Sequence, residues 1–185
     1  MTLTSRLARH SDVPALMPLI AAATTELLRP YLTDDQIRSS RAIMGLDTQL
    51  IDDGTYFVVE SGGSLAGCGG WSRRATLYGG DHSAGRDPAL LDPARDPAKV
   101  RAMYTHPSFA RRGVGRLVLS LCEQAAAAEG FTVLELMGTM AGQPLYEAAG
   151  FQVLEHFTDS TGGAPVPLVR MRKTLTQVRN GPVTQ

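Results

Sequence analysis

Cysteine is nearly absent from this 185-residue chain, and the two present, Cys68 and Cys122, stand alone in apolar or glycine-rich settings. That excludes a disulfide framework and offers no cysteine or histidine spacing for zinc, so reduced thiols in a cytoplasmic protein are expected. An excess of charge is missing too. Lys plus Arg and Asp plus Glu are each 18, so no global basic field recruits nucleic acid or anionic membrane, and ligand charge must be handled locally. Long apolar runs are missing: the most apolar stretch, Leu16 to Leu28, is broken by Pro18, Thr24, Thr25 and Glu26. Neither a signal peptide nor a membrane span is expected.

What is present is enough for one domain with a core of ordinary size. Leu3 to Arg9 alternates as a strand, and Ser11-Asp12-Val13-Pro14 opens a helix whose apolar face is Leu16, Leu19, Ile20, Ala23 and Leu27. A second helix is expected from Asp34 to about Leu50, capped by Thr33 or Asp34. Thr55 to Glu60, the turn Ser61 to Ser64, and Leu65 to Ser72 read as a hairpin. Its glycines, Gly67, Gly69 and Gly70, signal a bulge or a close approach by another backbone or a ligand. From Arg73 to Pro97 there is little periodicity, and a connection of that length reads as a lid or binding loop.

Lys99 to Thr105 follows as a strand, and then a helix from about Gly113 to Glu129 carries the stripe Val114, Leu117, Val118, Leu121, Cys122 and Ala125, with Gly130 as its stop. Strands at Phe131 to Met137, Phe151 to Phe157 and Val166 to Lys173 close the domain, with a short helix between Pro144 and Gly150. The domain is expected over residues 1–173 and a polar mobile tail over 174–185. The order β-α-α-β-β-β-α-β-α-β-β predicts an α/β fold, or α+β in some schemes, with one central mixed sheet and helices on both faces.

Between the Lys99–Thr105 strand and the amphipathic helix lies Thr105-His106-Pro107-Ser108-Phe109-Ala110-Arg111-Arg112-Gly113-Val114-Gly115-Arg116. Unpaired N–H groups at a helix start carry the positive end of its dipole, and glycines there let a phosphate come close. The stretch lacks the lysine and serine or threonine of a nucleoside-triphosphate loop and the third glycine of a dinucleotide fingerprint.

With Leu145-Tyr146-Glu147-Ala148-Ala149-Gly150-Phe151 further on, the chain resembles the GNAT superfamily of N-acetyltransferases over nearly its whole length. The family's phosphate loop reads Q/R-x-x-G-x-G/A and its later motif L-Y-x-x-x-G-F. Gly113 and Gly115 match the first, with Ala110 departing where Gln or Arg is usual. The second is matched throughout. The resemblance implies a mostly antiparallel GNAT-like sheet. It also implies acetyl-CoA as donor and CoA as product, with pyrophosphate on the amides of Arg111, Arg112, Gly113, Val114, Gly115 and Arg116. Pantetheine would lie along Met103, Tyr104 and Thr105, and Thr139 stands where the family often has an asparagine that contacts the cofactor. Tyr146 is the catalytic candidate, a phenol able to protonate a departing thiolate.

The acceptor is expected to be a small-molecule amine or a peptide, with homodimerisation open and a non-catalytic acyl-CoA-binding sensor as the alternative. Tyr31, Trp71, Tyr78 and Arg101 are candidate lining residues for the acceptor pocket, and Glu135, His82 and His106 are weighed as bases.

Overall fold

The computed structural model describes residues 2–175. Seven strands form one sheet: β1 (Leu3–Leu7), β2 (Tyr56–Ser61), β3 (Ser64–Ser72), β4 (Ala98–Thr105), β5 (Val133–Thr139), β6 (Gln152–Asp159) and β7 (Val166–Thr174). The spatial order is β1-β2-β3-β4-β5-β7-β6, and every pair is antiparallel except β4–β5. The expected mixed, mostly antiparallel sheet is therefore present. Thr174, assigned from sequence to a tail, ends β7 opposite Val133, and the Leu175 N–H donates to Thr132 O at 2.8 Å. The remainder of the expected tail, 176–185, lies outside the described residues.

Helices cover both faces. Helix α1 (Val13–Ala22), continued by a π-helical turn at Ala23–Leu27, packs Leu16, Leu19 and Ile20 against Tyr56, Val58 and Cys68. On the other face α4 (Val114–Ala128) packs Val114, Val118, Leu119, Cys122 and Ala126 against Val59, Ala66, Trp71 and Val100. Val58 and Val59 thus point to opposite cores, as strand alternation requires. With both faces covered, β3 is buried along most of its length. The α4 face differs from the sequence stripe by including Leu119 and Ala126, while Leu117 and Ala125 flank it.

The helix expected from Asp34 to Leu50 is two short helices, α2 (Asp34–Ser40) and α3 (Gln49–Asp52). Thr33 and Gln36 form a capping box at the start of α2. The chain breaks between the two because Asp47 turns inward to the buried Arg101 and because both backbone groups of Gly45 are bonded by the Tyr104 hydroxyl. A side-chain pairing across the fold overrides helical periodicity here.

The hairpin glycines have a packing cause. A Cβ on Gly67 would lie 2.4 Å from Val114 Cγ1, one on Gly69 2.7 Å from both Met103 Cγ and Val118 Cγ1, and one on Gly70 2.5 Å from Thr55 O. They let α4 and the neighbouring strands sit directly on β3. The bulge belongs to β4: from Cys68 to Gly70 the register advances two residues on β3 and three on β4, and Ala102 takes φ 49°. The Tyr56 hydroxyl donates to Ala102 O at 2.9 Å and holds it.

Candidate active site

The parallel β4–β5 ladder consists of Ala98–Leu134 and Lys99–Glu135. Beyond it β5 continues beside β7, whereas β4, after its bulge, stays beside β3. A cleft opens between the two strands, with the Met103–Thr105 segment as an edge without a β5 partner. At its root Glu135, 1% exposed, accepts from Lys99 at 3.0 Å and from Arg170, and Arg172 lies 3.6 Å away. Burial pushes the Glu135 pKa up, but hydrogen bonds from Arg170 and Lys99 outweigh it and hold the carboxyl below its ordinary value. Glu135 is a buried, ion-paired strand anion rather than a base.

One wall of the cleft carries Tyr146, from α5 (Gln143–Ala148), together with Met103, Gly138 and Thr139. Pro144 starts this helix, and the Gly150 N–H closes it on Glu147 O. The Tyr146 ring lies where Cβ atoms on Gly138 and Gly142 would come within 3.0 and 2.9 Å, and it packs edge-on against Phe151. Its hydroxyl is 4.0 Å from Met103 Sδ. Desolvation raises its pKa to about 12, so the phenol is protonated throughout the physiological range. Thr139 Oγ1 is engaged by the Gly142 N–H at 3.1 Å and shapes the turn into α5.

The phosphate-loop candidates stand at the N-terminal end of α4. Gly113 caps the helix at φ 86°, and Arg111 is left-handed at φ 62°. Leu117 makes the first intrahelical bond, to Gly113 O at 3.0 Å. Helix geometry therefore leaves the N–H groups of Val114, Gly115 and Arg116 without intrahelical acceptors. Arg111, Arg112 and Arg116 are exposed beside them, whereas the Val114 side chain is core. A Cβ on Gly115 would meet Leu145 Cδ2 at 2.8 Å, so this glycine also lets α4 and α5 meet. Met103 packs toward the α4 core. Tyr104 points to the α1 face, where its hydroxyl accepts from Gly45 N at 2.8 Å. Thr105 pairs with Gly67.

Of the acceptor-pocket candidates, the cleft includes Tyr78 and Arg101. Trp71 is 1% exposed in the core against Phe131, and Tyr31 is 51% exposed, so neither lines the cleft. Sequence hydrophobicity alone does not distinguish a core aromatic from a pocket aromatic. Arg101 is neutralised by Asp47 at 2.8 Å and also donates to Thr76 O and Gly79 O. His82 bonds Arg41 O, and His106 Nδ1 accepts from Ser108 N, so both serve turns. The loop over 73–97 is tied down by Arg74–Asp53, Arg86–Asp47 and Tyr78–Asp159 and supplies Leu77, Tyr78 and Gly79 to the cleft. Sequence reasoning missed Asp47 and Asp159. The first carries no local signal; the second sits before a glycine turn and reads as a turn residue.

Among the described residues no carboxylate lines the cleft, no group of three His, Cys, Asp or Glu is placed to hold a metal, and no helix is long and apolar enough to cross a membrane. The fold is shared with solved N-acetyltransferase structures, among them a GCN5-related N-acetyltransferase from Rhodopseudomonas palustris, at 17% identity and TM-score 0.70 over 95% of this chain and 97% of the other. The PaiA N-acetyltransferase from Thermoplasma acidophilum, solved with coenzyme A, shares it at 13% identity and TM-score 0.63 over 94% and 99%. So does yncA from Salmonella typhimurium, solved with acetyl-CoA, at 20% identity and TM-score 0.62 over the whole of both chains. Residues 20–151 match the acetyltransferase (GNAT) family, and the chain belongs to that family. No curated protein sequence matches it.

Proposed function

We propose that residues 1–175 act as a single acetyltransferase domain that moves an acetyl group from acetyl-CoA to a primary amine by direct attack in a ternary complex. The observation that carries this reading is the split between β4 and β5, with the Tyr146 hydroxyl beside Met103 on its wall. The residues fit the cofactor: an extended amide-bearing arm matches the free edge at Met103–Thr105, and a pyrophosphate matches the amides and arginines of Arg111 to Arg116. Tyr104 contributes backbone there, and Thr139 shapes the pocket beside Tyr146.

When bound, the cofactor supplies an activated acetyl thioester. With acetyl-CoA bound, the N–H of Met103 or Thr105 would polarise the thioester carbonyl, and Tyr146, protonated well above neutral pH, would donate a proton to the departing sulfur, while the proton of the incoming ammonium would pass to water. Cys68 and Cys122 take no part, being 1% and 0% exposed with thiol pKa values raised by burial. Two free buried thiols also fit a cytoplasmic enzyme.

The test is calorimetric titration with CoA followed by an acetyl-CoA-dependent screen of amines and peptides scored by released thiol. Binding with thiol release supports the reading; binding without release from any acceptor supports the acyl-CoA sensor instead.

A further inference from the structure

A short strap, residues 76–79, runs beside the split between β4 and β5 and belongs to no helix or strand. Leu77, Tyr78 and Gly79 line the cleft on one side, and the same three residues line a separate cavity of about 300 Å³ on the other. Space on both sides leaves little packing to fix the strap, so its position depends on its hydrogen bonds.

Two of those bonds come from β4. Arg101, 3% exposed, donates to Thr76 O at 3.0 Å and to Gly79 O at 2.6 Å, and its charge is met by Asp47 at 2.8 Å. Asp47, 1% exposed, also takes Arg86 from the same loop as the strap. A third bond runs to the other half of the sheet: the Tyr78 hydroxyl donates to Asp159 of β6 at 2.8 Å, and its ring tilts against Phe157. Burial raises the Tyr78 phenol to about 12, so it stays a donor at neutral pH. The β4–β5 ladder is Ala98–Leu134 and Lys99–Glu135, and Arg101 stands just beyond it. The strap is therefore fastened to both sides of the split.

Building on the acetyltransferase reading, we propose that Arg101 and Tyr78 are positioning residues: by pinning the strap to both sides of the split they set the width of the cleft beside Tyr146 and keep bulk water from the acetyl thioester. Neither takes the reacting proton. Loosening either pin opens the cleft and makes water the acceptor. Its oxygen then bonds to the acetyl carbon and the carbon–sulfur bond breaks; one proton passes to sulfur and the other to solvent, so acetate and CoA leave.

The test compares the full-length wild type with Arg101→Lys and Tyr78→Phe. Lysine keeps a cation beside Asp47, but a point charge on a flexible stem cannot hold the spread of bonds that the planar guanidinium makes. Phenylalanine keeps the ring on Phe157 and removes the pin. Hydrogen exchange without cofactor reads the strap through the bonded amides of Ala75, Thr76, Gly80 and Asp81. Their exchange is expected to quicken by about tenfold in each variant, the worth of a lost hydrogen bond, with that of β2 and β3 unchanged. Acetyl-CoA hydrolysis without any amine, scored by released thiol, should rise by about the same factor, with CoA affinity by calorimetry unchanged. Unchanged exchange, an increase spread over the whole sheet, or a loosened strap without faster hydrolysis would overturn the proposal. If Arg101→Lys does not fold, Tyr78→Phe alone decides. Absence of CoA binding in the wild type would instead overturn the acetyltransferase reading, and the cofactor-free exchange would still show whether Arg101 and Tyr78 hold the strap.

Discussion

The Tyr146 hydroxyl lies 4.0 Å from Met103 Sδ, bringing α5 and β4 to one point although 43 residues separate them in the chain. The relationship depends on Gly138 and Gly142, whose missing side chains make room for the ring. Tyr146→Phe keeps the edge contact with Phe151 and removes only the hydroxyl. The expected outcome is a fall in kcat of about 10²-fold or more with CoA affinity unchanged, measured by thiol release and calorimetry. Because burial raises this phenol to about 12, the pH profile of the wild type should show no falling limb from Tyr146 ionisation near neutral pH.

Gly113→Asp tests the cradle. The position has φ 86° with open space around it, so a side chain fits sterically but strains the backbone and sets a negative charge at the helix start. CoA affinity should fall by about tenfold or more, an expectation from the loss of anion-binding character at a helix N-terminus. Unchanged affinity would place the pyrophosphate elsewhere.

Glu135→Gln leaves Lys99 and Arg170 facing a neutral group at the root of the cleft. Breaking such a buried pair costs roughly 3–5 kcal/mol, to be read from denaturant unfolding. The Glu135 pKa is lower folded than its ordinary value of 4.5, so below that value the unfolded chain binds more protons. Its contribution to stability is therefore complete above 4.5 and is lost as the pH falls through the folded value. The variant's stability should be the flatter of the two over that window.

Both thiols should resist labelling. Burial raises Cys68 to about 12 and drives Cys122 higher, and neither is more than 1% exposed. An aromatic disulfide reagent should react with the native protein only through unfolding, at a rate independent of reagent concentration, and Cys68→Ala should retain acetyl transfer. A trapped acyl-cysteine would contradict direct attack.

Gly67→Ala probes the seat of α4. The new methyl would lie 2.4 Å from Val114 Cγ1 and 2.8 Å from Tyr104 O, so either α4 or β4 must shift. About 1–3 kcal/mol of destabilisation is expected from overpacking, seen as a lower thermal midpoint. CoA affinity should fall with it, since a shift of either element moves a wall of the proposed cofactor site.

Local chemistry in the chain determined much of this protein. Apolar periodicity marks α1 and α4, glycine and proline mark the ends of α4 and α5, and Gly113, Gly115 and the Leu145–Phe151 motif mark the two ends of the proposed donor site, because each depends on residues close in sequence. Tertiary structure alone decided where Arg101 and Glu135 went, since the paired anion and cations come from separate strands and loops and no periodicity encodes the match. It also decided that Trp71 is core, that the Asp34–Leu50 segment breaks between Ser40 and Gln49, and that Asp159 lines a cavity shared with the 73–97 loop. The proposed donor site could be put forward from the sequence because its residues are contiguous, whereas the cleft wall opposite is assembled from side chains that meet only once the sheet has formed.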